Sequence, residues 1–309
     1  MAADGTVAAM ADAPGELASA VGAALRAGPA DVEWSISLRD AETGLALAEV
    51  APDRVMPAAS IGKVLLLLEV ARRVEPAEPL TRTPEDAVAD SGLWQHLAVD
   101  TLPAGDLAAL VGAVSDNLAA NVLLRRTGLA AVRRTARELG LRHTAMHDRV
   151  RDHRGPEHPP ALSTATAGEL SALFVALAAA EAPPEGPSAA VLPGDDAISP
   201  IGRAAAERVL GWLALGTDLS MVAAGLGLDP LAHAQPDRGL RLRHKTGTDP
   251  GVRADAGLLD GPRGRLAYAV LARFDDARRD EVLAVMRAVG TAMQERCQTP
   301  FLRQAGSAT

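Results

Sequence analysis

Lysine is nearly missing from this chain. Of 309 residues, 31 are Lys or Arg, yet only Lys63 and Lys245 are lysines. Cysteine occurs once, at Cys297, so no disulfide can close within the chain and no cysteine-based metal site can form. Cys297 is expected as a packed thiol in a C-terminal helix. Aromatic residues make up only 2%, which leaves the core to Ala, Leu and Val. Long apolar runs are also missing: Leu65–Leu68 is far too short to span a bilayer. The first thirty residues carry Asp4, Asp12 and Glu16, no basic residue before Arg26 and no unbroken apolar segment. No secretion signal is therefore expected, and the expected location is cytoplasmic. A net charge of −8 with scattered arginines argues against a nucleic-acid groove and against an anionic membrane surface.

What is present begins with Pro57-Ala58-Ala59-Ser60-Ile61-Gly62-Lys63 at the head of an apolar run. On a helix, residues i and i+3 share a face, so Ser60 and Lys63 can meet. A serine hydroxyl becomes a strong nucleophile only when a nearby base takes its proton. Lysine can be that base if burial or a second positive charge holds it partly neutral, whereas arginine does not give up its proton.

Elsewhere the pattern is mixed. Residues 15–27 read as an amphipathic helix, and Trp34–Arg39 and Leu45–Val50 as a hairpin around the turn 40–44. Helices are expected at 61–74, 84–97, 104–113, 115–126, 129–139 and 165–181, interrupted by a polar, proline-closed loop over 143–164. A Pro/Gly-rich connection follows at 182–200, then a helix over 203–226, strands at 241–246, 256–259 and 265–273, and a closing helix over 280–297. No internal repeat occurs. The expected architecture is α+β: one domain over 1–309, in which 1–55 and 203–309 share an antiparallel sheet flanked by the terminal helices. An all-helical lobe, 56–202, is inserted between them.

Three short motifs fall in one order: Ser60-x-x-Lys63, then Ser115-Asp116-Asn117 continuing as Leu118-Ala119-Ala120-Asn121, then Lys245-Thr246-Gly247-Thr248. This set resembles the class A β-lactamase and penicillin-binding protein superfamily of active-site serine enzymes, over roughly residues 15–297. The resemblance implies a β-lactamase-like fold and an acyl-enzyme on Ser60, formed with a β-lactam or a related small, anionic amide or ester. Lys63 would be the base and Ser115 would pass a proton to the leaving atom. Asn117 would hold Lys63 or the substrate, while Asp116 is read as a cap of its own helix. Lys245 would lower the pKa of Lys63 and steer an anionic group. Thr246 and Thr248 would offer hydroxyls, and Gly247 would let a ligand approach the backbone. The backbone N–H groups of Ser60 and Thr248 would form the oxyanion hole. Arg253 is read either as a clamp for a substrate carboxylate or as a solvated surface arginine. No cofactor or metal is implied.

One element of the pattern is missing. Class A enzymes carry a Glu-x-x-Leu-Asn loop whose glutamate activates the deacylating water. Here the stretch reads Asp148-Arg149-Val150-Arg151-Asp152-His153-Arg154-Gly155, which puts Arg151 at the glutamate position. Asp148, Asp152 or Glu157 could replace it, but salt bridging to the loop's own arginines is the favoured reading of these acids. The gap puts deacylation in question and leaves two alternatives: a covalent penicillin-binding or sensor protein without turnover, or an esterase or acyltransferase. His143, His147, His153 and His158 are irregularly spaced and read as surface loop residues rather than metal ligands.

Overall fold

The computed structural model describes residues 14–182, 200–231 and 236–298. The connection expected at 182–200 lies almost wholly outside the described residues, as do residues 1–13.

Helix α1 (Pro14–Ala27) leads into the hairpin β1 (Glu33–Asp40) and β2 (Ala46–Val50). The short strand β3 (Met56–Pro57) and a 3-10 turn (Ala59–Gly62) then deliver the chain to α2 (Lys63–Arg73). The helical stretch adds β4 (Pro79–Thr81), β5 (Thr101–Pro103), α3 (Ala104–Val114), α4 (Asn117–Thr127) and α5 (Leu129–Glu138). It continues with β6 (Ala145–Met146), β7 (Ser163–Ala165), α6 (Ala167–Glu181) and α7 (Arg203–Leu213). Strands β8 (Arg241–Asp249), β9 (Val252–Gly261) and β10 (Gly264–Arg273) and helix α8 (Arg279–Cys297) close the chain.

The main sheet has the order β2-β1-β10-β9-β8 and its pairings are antiparallel, so the first and last thirds of the chain build one sheet with β8 at an edge. Strand alternation divides its side chains between two cores. Ala254, Ala256, Ala267, Ala269 and Leu271 face the helical layer of α2 to α7, whereas Leu259, Leu266, Tyr268 and Val270 face α1 and α8. Small residues on the first face let α6 lie directly on β1 and β10. Helix α2 is the axis of the helical layer. Leu65, Leu66, Leu67 and Leu68 are all at most 1% exposed, because α3, α4, α5 and α7 surround it. Burying each of these side chains contributes about 1.5–3 kcal/mol. Helix α7 follows the inserted stretch but packs against α2, α3 and α6.

Two expected helices are shorter or absent. Residues 84–97 form only two single 3-10 turns, Pro84–Asp86 and Trp94–His96. Their apolar spacing does not mark a buried face, since Leu93 and Leu97 are exposed while Trp94 is fully buried. The helix expected over 203–226 stops at Leu213, and the chain turns through Gly216 and resumes as a 3-10 turn at Val222–Gly225. Conversely, β9 extends well beyond 256–259. Cys297 is buried at the end of α8, as expected, and burial pushes its thiol up to about 12. Among the described residues, no helix is long and apolar enough to cross a membrane.

The turn 222–225 rests on α8 without side chains between the two backbones. A Cβ on Gly290 would stand 1.9 Å from Val222 O, whereas one on Gly211 in α7 would meet nothing within 4 Å. Gly290→Ala is therefore expected to cost about 1–3 kcal/mol through overpacking. Gly211→Ala should stabilise by about 0.5–1 kcal/mol through helix propensity. Urea unfolding of both variants checks this; equal effects of one sign would refute the close approach.

Candidate active site

Ser60 lies in the 3-10 turn ahead of α2 rather than on the helix's first turn. The turn is strained and clasped. Ala59, just before the serine, has φ of 46°, a left-handed conformation that non-glycine residues rarely adopt. Ser163 of β7 holds both sides of it: its Oγ donates to Ala59 O at 2.7 Å and accepts from Gly62 N–H at 3.2 Å, while its carbonyl accepts from Ala58 N–H at 3.0 Å. From the other side comes β8. A Cβ on Gly247 would stand 2.4 Å from Ala58 O and 3.2 Å from Ser60 N. The close approach that glycine permits here is that of the serine turn itself.

Lys63 begins α2 and is fully buried. Its Nζ donates to Ser115 O at 2.7 Å, to Ser115 Oγ at 3.1 Å and to Asn117 Oδ1 at 2.5 Å. The ammonium thus points to Ser115 and Asn117 rather than to Ser60. Burial, and secondly the charge of Lys245, hold its pKa well below the usual lysine range, against the pull of Asp116 and Asp249. Ser115 can offer both oxygens because it ends α3 in a left-handed conformation, with φ of 57° and ψ of 33°. Asp116 caps α4, accepting from Ala119 N–H at 2.9 Å, and its other oxygen takes the N–H groups of Leu93 at 2.7 Å and Trp94 at 2.9 Å. Asn117 donates to Asp90 O through its side chain and to Ser91 O through its backbone.

Lys245 is buried on β8, and its Nζ donates to Thr246 O at 2.8 Å. Burial brings its pKa down to about 8, although Asp218 and Asp255 favour the charge. Asp218 also holds Thr246. Burial works against the Asp218 charge, but hydrogen bonds from Ser220 and Thr246 carry its carboxyl below the usual range. Behind the strand, His244 Nδ1 meets Asp255 Oδ1 at 2.8 Å, and Tyr268 OH donates to the same oxygen at 2.9 Å.

Ser60, Ser115, Asn117, Lys245, Thr246 and Thr248 all line one cavity of about 810 Å³ between the helical layer and the β8 edge. Arg253 is not among the lining residues. Its Nη1 donates to the carbonyls of Asp249 at 2.9 Å and Val252 at 2.8 Å, and its guanidinium lies 6.0 Å from the Phe274 ring centre. It is committed to its own turn. The loop carboxylates are also engaged. Asp148 takes Arg151 Nε at 2.7 Å and Arg154 Nη1 at 2.8 Å, and Asp152, which lines the cavity, accepts from Ala89 N–H at 2.8 Å. Glu157 Oε1 lies 3.1 Å from His158 Nδ1, which itself accepts from Gly155 N–H at 3.1 Å. Among the described residues, no cluster of His, Cys, Asp and Glu could hold a metal ion.

Sequence reasoning missed Ser163, Asp218, Ser91 and the His244–Asp255 pair. All lie outside the three motifs; the fold brings Ser91, Asp218 and His244 to the cavity wall, and Ser163 and Asp255 behind it. A signal existed for one of them: Ser163 opens a Ser-Thr-Ala-Thr stretch with strand character inside a loop.

A family model described as the beta-lactamase enzyme family matches residues 16–296. Similar solved structures include a mutant of PBP-A, an acyl-enzyme complex with penicillin G, at TM-score 0.70 and 22% identity, covering 90% of this chain and 94% of that one. A β-lactamase from Sphaerobacter thermophilus DSM 20745 follows at TM-score 0.66 and 24% identity, covering 91% and 96%. An ancestral class A β-lactamase stands at TM-score 0.67 and 24% identity, covering 91% and 99%. No curated protein matches the chain. At such identities the likeness of the solved structures carries the fold, and the family rests on the family model.

Asp116 is the brace of this site. Asp116→Ala would leave three N–H groups without their acceptor, two of them buried, at about 1–3 kcal/mol for each buried one. A loss of about 3 kcal/mol or more in urea unfolding is expected. A loss under about 1 kcal/mol would show that the carboxylate does not hold the Ser115 turn.

Proposed function

The chain belongs to the beta-lactamase enzyme family, and within it we propose a serine hydrolase that forms an acyl-enzyme on Ser60 with a small anionic amide or ester, β-lactams included, and releases it slowly. One observation carries the reading: a buried Lys63 amine, bonded to Ser115 and Asn117 and held well below the usual lysine range beside a second buried lysine.

Once its ammonium has lost a proton, which its lowered pKa favours, Lys63 would turn from Ser115 and Asn117 toward Ser60 and take the Ser60 proton as Ser60 Oγ bonds to the acyl carbon. The carbonyl oxygen gathers negative charge, which the N–H groups of Ser60 and Thr248 would stabilise; such donors are worth about 2.7–4 kcal/mol in the transition state. The proton then moves from Lys63 to Ser115 Oγ, across their 3.1 Å contact, and on to the leaving nitrogen or oxygen as its bond to carbon breaks. Lys245, protonated below about 8, would attract the substrate's anionic group.

A covalent binder without turnover is the second reading, favoured by the loop. Arg151 stands where the resemblance puts the water-activating glutamate. Asp148 is clamped by two arginines, and burial of its carboxyl is outweighed by the Arg151 hydrogen bond, which leaves it below the usual range. A mutant of PBP-A, similar in fold, has been captured as an acyl-enzyme with penicillin G.

Time-resolved intact mass after mixing with benzylpenicillin tests both readings. The expected result is an adduct of full penicillin mass on the wild type that persists for minutes, and none on Ser60→Ala. Loss of the adduct within seconds, with turnover, would remove the slow-release part. Absence of any adduct and any turnover would remove the acyl-enzyme itself. The pH profile gives an independent check. Lys245 loses its charge as pH rises through about 8, so acylation efficiency should fall there. In Lys245→Arg, whose guanidinium does not titrate in this range, that basic limb should vanish. A limb unchanged by this substitution would remove Lys245 as the anion-steering group.

A further inference from the structure

The edge strand β8 carries charge of opposite sign on either side of the nucleophile. Alternation puts Arg243, Lys245, Gly247 and Asp249 on the face toward the helical layer and His244, Thr246 and Thr248 on the other. Two contacts fix this phase: Gly247 abuts Ala58 O and Ser60 N, and His244 meets Asp255 and Tyr268 behind the sheet. At about 3.3 Å per residue, Lys245 and Asp249 lie about 7 Å to either side of Gly247, and so on either side of the Ser60 turn. Both line the cavity, and both act electrostatically on Lys63.

Asp249 differs from three other acids at or near this cavity; Asp90, on the 90–94 segment, also lines it with no hydrogen bond or ion pair to its carboxylate among the described residues. Asp218 is held by Ser220 and Thr246, Asp152 by the Ala89 N–H, and Asp148 by two arginines. Partial burial raises the Asp249 carboxyl above the usual range against the pull of Arg154, Arg253 and Lys63, which act only through space, with no hydrogen bond or ion pair to it among the described residues. Arg154 donates to Asp148 and to Pro159 O, and Arg253 to two backbone carbonyls. Asp249 therefore stands exposed at the mouth of the cavity with its acceptors open.

We propose that Asp249 selects substrates bearing a cationic amine on the acyl side of the scissile bond, so that the preferred substrate is zwitterionic, with its carboxylate toward Lys245 and its ammonium toward Asp249. The inference rests on the acyl-enzyme reading. The orientation follows from Ser115, which protonates the leaving atom: its Oγ is tied to Lys63 beside Lys245, so the leaving group occupies that end of the strand. The acyl group is left facing Thr248 and Asp249.

Three penicillins on one scaffold test it: ampicillin, with an ammonium on the acyl side chain; benzylpenicillin, neutral there; and carbenicillin, with a carboxylate. Acylation rates are read by intact mass for the wild type, Asp249→Asn and Asp249→Lys, with thermal melts to confirm folding. Dividing the ampicillin-to-benzylpenicillin ratio of the wild type by that of Asp249→Asn cancels the intrinsic reactivity of the two lactams. A quotient of about 2- to 5-fold is expected, the range of a solvent-exposed ion pair. In Asp249→Lys the preference should invert toward carbenicillin. A quotient of one, with no inversion in the lysine variant, overturns the role of Asp249 and leaves the acyl-enzyme standing. Absence of acylation by all three compounds overturns both.

Discussion

An amine buried without water must find its hydrogen-bond acceptors in the protein, and the rest of the site follows from that demand on Lys63. Taking an ammonium out of water costs several kcal/mol even after relaxation. The fold offsets the cost in part with two oxygens of Ser115 and one of Asn117. Ser115 can present both oxygens only from a left-handed turn between α3 and α4. That turn persists because Asp116 ties it to the 90–94 segment, and Asn117 to Asp90 and Ser91. The remaining cost appears as chemistry, since burial and the nearby Lys245 shift Lys63 toward its neutral form.

A second constraint couples this helical assembly to the sheet. The backbone before Ser60 passes so near β8 that no side chain fits at position 247. The serine turn is thus gripped between Ser163 on β7 and Gly247 on β8. The strained φ at Ala59 is retained because both neighbours over-determine it. The Ser60 turn, the start of α2 at Lys63 and the edge strand are thus packed together, while the wall facing them is a loop.

Much of this was legible in the sequence because the chemistry is local. Ser60 and Lys63 are one helical turn apart, Ser115 to Asn117 are contiguous, and Lys245 to Thr248 lie along one strand. The antiparallel α+β arrangement was legible from a hairpin, a run of helical periodicity and three late strands. The segment 84–97 misled because its apolar spacing mimics a helix, while Leu93 and Leu97 face solvent. The end of α7 was missed because Gly216 to Ser220 bend to wrap the β8 edge, which only the tertiary fold requires. Arg253 could not be placed from sequence, as its hydrogen bonds go to carbonyls of its own turn. Asp218 and Ser163 belong to no motif of the set; long-range contacts alone bring Asp218 to the cavity and Ser163 against the serine turn.

In the proposed reaction, pairing of charges in the loop opposite the serine would slow the second half. Activating a water takes a carboxylate that has a free lone pair near the acyl carbon and a proton affinity high enough to receive the proton. Asp148 meets neither requirement. Its oxygens are occupied by Arg149 N–H at 2.8 Å, Arg151 and Arg154, and those bonds lower its basicity. Asp152 reaches the cavity but commits one oxygen to the Ala89 N–H. On the other wall, the residues proposed to acylate are arranged the opposite way. They keep an amine buried and held well below the usual lysine range, with a hydroxyl 3.1 Å away. In the proposed reaction both half-reactions need a base with an open lone pair, and in the loop Asp148 does not supply one. A slow second step then follows from saturated hydrogen bonding in the loop, without any distortion of the serine, the lysines or the sheet.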